Sequence, residues 1–173
     1  MRLEELLARC RGYEEHAAAV YRSFAARTRA DPEACALWTA LARDEDEHAR
    51  QLTRAAAWLD AVEAWRTHLD GWTEALDEVE ARIAEAERPE IGADVEQQLV
   101  AALALERTEL DAIYHRLLRV TRTSEPLAGS ALHTDRLLDF AVRRAVSPTV
   151  LLEIALTRAR SRLRAASEST GHR

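Results

Sequence analysis

From residue 33 to residue 70, and again from 93 to 125, the chain contains neither glycine nor proline. These stretches are filled largely with Ala, Leu, Glu and Arg, the residues that lose least on entering a helix. The four prolines stand where helices start or stop. Asp31-Pro32 is an N-cap followed by proline at the first helical position, and Ser147-Pro148 repeats that arrangement. Pro89 with Gly92 marks a loop, and Thr121 to Pro126 marks another turn. The pattern predicts helices over about 2–29, 32–60, 73–87, 94–120, 126–146 and 148–167. Strand signals are missing. The expected fold class is all-α, a four-helix bundle spanning 1–173 as a single helical domain. Residues 1–60 and 94–146 form its two hairpins, 61–93 is the crossover helix, and 147–173 supplies a C-terminal fifth helix and tail. A chain of 173 residues can bury roughly 70% of its unfolded surface, so it needs no metal merely to hold a core together.

One segment keeps a stricter period. Ala55, Trp58, Val62, Trp65, Leu69, Trp72, Leu76, Val79 and Ile83 alternate steps of three and four without a slip, which is a heptad stripe. Helix 32–60 either runs on through Gly71 as a long arm or ends at Asp70-Gly71 before a separate crossover helix. The tryptophans either cover the outside of the bundle or form a seam between two copies, since Trp is a favoured interface anchor.

All 24 basic residues are Arg, against 30 Asp and Glu, for a net charge of -6. Nucleic acid is not an expected partner, because binding a polyanion requires clustered positive surface. No apolar run of about 18 residues and no signal-like start are present, so the expectation is no membrane partner and a cytoplasmic location. Cys10 and Cys35 offer no Cys-x-x-Cys, and they lie many turns apart along the first hairpin, so no disulfide is expected. Arg158, Arg160, Arg162 and Arg164 alternate along the last helix and spread around its axis. The first half of that helix should dock on the bundle and its Arg-rich end should fray into solvent.

Chemistry is expected where charged residues fall on apolar helix faces, because ionised groups are almost never buried without a partner. In 2–29, Glu14 lies among Leu3, Leu6, Leu7, Cys10, Tyr13, Ala17, Tyr21 and Phe24. In 32–60, Glu45 and His48 fall on the stripe of Leu37, Trp38, Leu41, Leu52, Ala55 and Leu59, forming an inward Glu-x-x-His pair. In 94–120, Glu106 is central and Glu109 marginal on the face of Val95, Leu99, Ala102, Leu103, Leu110, Ile113 and Leu117. In 126–146 the face drawn through Leu127, Ala131, Leu138, Val142 and Ala145 includes Asp135, with His133 on the polar side beside Arg144. Asp135 is therefore the better-placed ligand there, and Glu109 with Asp135 the better-matched pair in height. Measured from the turn at Asp31, Glu14 and Glu45 reach nearly the same level of the first hairpin, so their carboxylates can share an ion. Carboxylates with imidazole and no thiolate suit iron or manganese, in a mononuclear or di-iron site.

Tyr13-Glu14-Glu15-His16-Ala17-Ala18-Ala19-Val20-Tyr21, Asp31-Pro32-Glu33 and Leu41-Ala42-Arg43-Asp44-Glu45-Asp46-Glu47-His48-Ala49 resemble the first hairpin of the rubrerythrin branch of the ferritin-like superfamily. Glu106-Arg107-Thr108-Glu109, with Tyr114, is similar to that family's third-helix carboxylate pair. The resemblance implies a ferritin-like bundle in which Glu14, Glu45 and His48 ligate iron. It departs in the fourth helix, where Ser130-Ala131-Leu132-His133 stands in place of a second Glu-x-x-His, leaving a degenerate half-site unless Asp135 substitutes from a shifted register.

The expected function is a non-haem iron protein that reduces peroxide or dioxygen while oxidising Fe(II), an oxidoreductase of peroxidase or ferroxidase type. Its expected metal ligands are Glu14, Glu45, His48, Glu106, Glu109, Asp135 and His133. Tyr21, two turns after Glu14, is expected to hydrogen-bond a ligand carboxylate as the catalytic tyrosine. No four-cysteine rubredoxin-like module is present in the chain, so reducing equivalents come from an external electron donor. A homodimer is the expected assembly. The other reading is a bundle without catalysis that acts as an interaction or scaffolding module through the Trp-bearing heptad segment.

Overall fold

The computed structural model describes residues 3–59, 73–92, 94–108 and 130–170. Its elements are α1 (Leu3–Arg27), α2 (Pro32–Leu59), α3 (Thr73–Ala86), α4 (Val95–Glu106), α5 (Ser130–Arg143) and α6 (Pro148–Thr170). Among the described residues there is no strand, and no helix is long and apolar enough to cross a membrane.

One cap read from sequence and one not read there set helix starts. Asp31 Oδ1 accepts from Ala34 N–H at 3.1 Å, so α2 begins at Pro32. Asp94 Oδ1 accepts from Glu96 N–H at 2.9 Å and opens α4. Two ends differ from expectation. Helix α4, within the helix expected over 94–120, ends at Glu106: Arg107 N–H still makes an α-helical bond to Leu103 O, but Thr108 N–H turns back one residue tighter to Leu105 O at 3.1 Å, and 109–120 lie outside the described residues. Helix α5 ends at Arg143 in a Schellman motif, with Val146 N–H on Ala141 O and Ala145 N–H on Val142 O, both 3.2 Å. That motif needs a left-handed residue, and Ala145 supplies it at φ 49° where glycine is usual.

Helices α1 and α2 form the principal hairpin. Tyr21, Phe24 and Trp38 fill its middle, Tyr21 stacked on Trp38 with centroids 6.1 Å apart and Phe24 edge-on to Trp38 at 5.3 Å. Leu76, Val79 and Ile83 of α3 are buried in the same core. This described part of the heptad stripe thus covers the bundle. Trp65 and Trp72, the side chain of Trp58 and the passage through Gly71 lie outside the described residues. Cys10 is buried and Cys35 half-buried, both as free thiols.

Helix α6 packs against α5 and α4, with Val150 and Ile154 buried, as expected of its first half. Its arginines do not all turn to solvent. Arg158 and Arg162 both fold onto Asp135 of α5, Arg162 at 3.0 Å, and the helix continues to Thr170.

Candidate metal centre

Four of the helices place one or more ionisable side chains where their neighbours along the stripe are apolar. On α1 the buried positions Leu6, Leu7, Cys10, Tyr13, Ala17 and Tyr21 include Glu14, and on α2 the row Leu37, Trp38, Leu41 and Leu52 includes Glu45 and His48. The inward positions read from sequence for these three, and for Glu106 on α4, hold in the structure.

The side chains converge. His48 Nδ1 lies 2.9 Å from Glu45 Oε2 and 3.5 Å from Glu14 Oε2. His133 Nδ1 lies 3.1 Å from Glu106 Oε1 and 3.5 Å from Glu45 Oε1. Two sets of three donor atoms result, Glu14 with Glu45 and His48, and Glu45 with Glu106 and His133, each set within 4.8 Å. Glu45 belongs to both. A cavity of about 50 Å³ opens between them, lined also by Tyr13, Ala17, Val79, Ile83, Leu105 and Thr108.

His133 corrects the expected face of α5. It is 2% exposed, and with Thr134, Leu137, Phe140 and Ala141 it makes the buried stripe, whereas Val142 is 60% exposed. The helix carries two competing apolar rows, and packing against α4 and α6 selects the row containing His133. The spacing of His133, Leu137, Phe140 and Ala141 writes that row into the sequence, without choosing it over the other. Asp135 is correspondingly turned away: it pairs with Arg158 and Arg162 of α6 and does not join the cluster. Among the described residues it is Glu106 that meets α5, through His133 at 3.1 Å. Glu109 and Tyr114 lie outside the described residues.

Tyr21 Oη donates to Glu106 Oε1 at 2.9 Å, reaching a carboxylate of the cluster as expected. Asp44, which helical spacing does not single out, sits behind the cluster. Its Oδ2 is 3.3 Å from His133 Nε2 and also meets Arg136. Only the fold shows this, because Asp44 precedes Glu45 on α2 while His133 comes from α5.

Electrostatics follow from packing three carboxylates and two imidazoles out of water. Burial pushes the Glu14 carboxyl well above the usual carboxylate range, and the Glu45 charge adds to the rise. Burial would raise Glu45 too, but His133 and His48 on either side hold it down at about 2. Burial would lower His48, yet Glu14 and Glu45 raise it to about 10. His133 is likewise raised against its burial, by Glu106 and Glu45 first. Such a site needs positive charge, supplied here by protons on the imidazoles or by a cation.

The donor set fits a metal ion. Both imidazoles turn Nδ1 toward the carboxylates, and His133 Nε2 is buried without a hydrogen bond although Asp44 stands 3.3 Å behind it. A ring metallated at Nδ1 carries its proton on Nε2, aimed at a carboxylate that fixes its orientation. Comparison of the chain with protein-family models, with curated proteins and with solved structures finds no match.

Proposed function

We propose that the chain is a ferritin-like, rubrerythrin-type non-haem iron protein that reduces peroxide or dioxygen. The observation that carries the reading is the sharing of Glu45 between two triads, each completed by a histidine and a carboxylate. Glu14, Glu45 and His48 would hold one ion, and Glu106, His133 and Glu45 a second; manganese is the other metal this donor set suits. Bound iron would supply the electrons, one from each of two Fe(II), that with two protons split a peroxide O–O bond to two waters.

The chain's own residues do the rest. Val79, Ile83 and Leu105 give the small cavity an apolar wall beside the carboxylates and imidazoles, with room for a molecule as small as peroxide. Tyr21 fixes the Glu106 carboxylate through its hydroxyl and holds a proton at the site, since burial and the neighbouring carboxylates raise its ionisation well above the ordinary phenol value. Asp44 orients His133, and its partial exposure links that ring to bulk water. An external donor returns the electrons. The scaffolding alternative drew its support from a fourth helix lacking a ligand, and the burial of His133 among Glu45 and Glu106 weakens that support.

The full-length chain, loaded anaerobically with Fe(II) and analysed for metal, is expected to bind about two ions and to oxidise two Fe(II) per added peroxide. Glu45→Ala and His48→Ala should lose that capacity. A chain recovered metal-free from iron-rich growth, or Fe(II) binding untouched by Glu45→Ala, overturns the reading.

A further inference from the structure

Helix α6 carries a second apolar row on the side away from the bundle. Val150, Ile154 and Thr157 are buried against its neighbours, yet Leu152, Leu156 and Leu163 are 60%, 50% and 70% exposed. With the exposed Ala159 they recur at steps of four, three and four, the spacing of a coiled-coil seam. Singly exposed leucines are ordinary, but a row of them along one helix marks a contact surface.

Two properties of the row identify what covers it. The spacing reads the same from either end, so an antiparallel neighbour related by a twofold axis between Thr157 and Arg158 opposes Leu152 to the partner's Leu163 and Leu156 to the partner's Ala159. Large then meets small at the centre, which lets two helices approach closely. The charges agree. Glu153 and Arg160 are both exposed and, seven residues apart, flank the same edge of the row. The antiparallel alignment puts Glu153 beside the partner's Arg160 and, by symmetry, Arg160 beside the partner's Glu153. A parallel alignment would instead put Arg160 beside the partner's Ala155. Glu153 also lies 3.8 Å from Arg107 of its own chain, a half-exposed contact that leaves it free to be shared.

We infer that α6 pairs antiparallel with α6 of a second copy of this chain, through Leu152, Leu156, Ala159 and Leu163, to make a twofold dimer. The seam uses no residue of the metal cluster, so it stands independently of the function proposed above.

Sedimentation of the full-length chain over roughly 1–100 µM, a range that resolves micromolar association, tests it. The chain is expected to dimerise. Leu156→Glu, at a position already half-exposed in the single chain, should keep the helical circular dichroism and weaken dimerisation roughly 30-fold or more, as for an interface anchor. Glu153→Arg should weaken it, and Glu153→Arg combined with Arg160→Glu should recover it, because the exchanged charges still face each other. Were Leu156→Glu to unfold the chain, the charge exchange would still decide, since both positions are exposed. A chain that stays monomeric throughout, a dimer untouched by Leu156→Glu, or a double variant as weak as the single one overturns the inference.

Discussion

His48 of α2 and His133 of α5 stack inside the bundle, their ring centroids 5.5 Å apart and their planes 28° from parallel. Two imidazolium rings so placed would repel, and Glu45 reaches both, with one oxygen 2.9 Å from His48 and the other 3.5 Å from His133. That carboxylate is the centre of the site's charge balance.

Glu45→Gln is therefore expected to abolish metal binding at both triads, whereas Glu14→Gln and Glu106→Gln each remove a ligand from one. Metal analysis should give about half the wild-type content for each of the latter two, on the two-ion arrangement. Equal losses in all three variants would contradict the sharing of Glu45.

Tyr21→Phe keeps the ring against Trp38 and deletes the hydrogen bond to Glu106. Removing a buried bond to a charged acceptor costs about 1.5–3 kcal/mol, to be read from urea unfolding of the metal-free chain. Metal content should not change, because Tyr21 contributes no ligand. A shift below about 0.5 kcal/mol, the usual scatter of inconsequential substitutions, would mean that Glu106 does not depend on it.

The metal-free chain should lose stability as the solution is made alkaline. His48 is raised to about 10 in the fold, against roughly 6.5 unfolded, so its contribution is complete below the unfolded value and disappears as pH rises through the folded one. Glu45, lowered to about 2, acts in the opposite window. Its stabilisation is present above the unfolded value of about 4.3 and is lost as pH falls. Metal capture must displace the imidazole protons, so affinity should strengthen with rising pH while protons are released. Denaturation of the metal-free chain across pH, with calorimetry of metal binding in two buffers, measures both. Rising alkaline stability or proton-neutral binding would refute the assignment.

Asp135→Asn should leave metal content intact and loosen only the seam between α5 and α6. Its partners Arg158 and Arg162 are one-third and half exposed, so the loss should be about 1 kcal/mol or less. Loss of metal in this variant would restore Asp135 as a ligand.

Ala145→Gly should stabilise the chain. Relieving a left-handed alanine at a helix C-terminus is worth roughly 0.5–1 kcal/mol, offset in part by the added freedom of glycine when unfolded. Thermal melting checks the sign, and a lowered midpoint would show that the left-handed turn costs alanine nothing here.

Much of the bundle is legible in the spacing of residues along the chain. The Asp31-Pro32 and Ser147-Pro148 starts, the inward positions of Glu14, Glu45, His48 and Glu106, and the shared height of Glu14 and Glu45 all follow from periodicity and rise within single helices or one hairpin. The stop at Glu106 is not legible there, because nothing in Glu106-Arg107-Thr108 breaks a helix; the turn is made by backbone bonds that tighten locally.

That this chain is helical, and that acidic groups and a histidine lie on its apolar stripes, follows from sequence alone, since both depend only on spacing along one helix. Packing between helices settles which way α5 is rotated, and with it that His133 enters the cluster while Asp135 is held by Arg158 and Arg162. Leu138 and Val142 compete with Leu137, Phe140 and Ala141 for the inner side of that helix. The choice between two apolar rows belongs to the neighbours that bury one of them, and no period within α5 contains it.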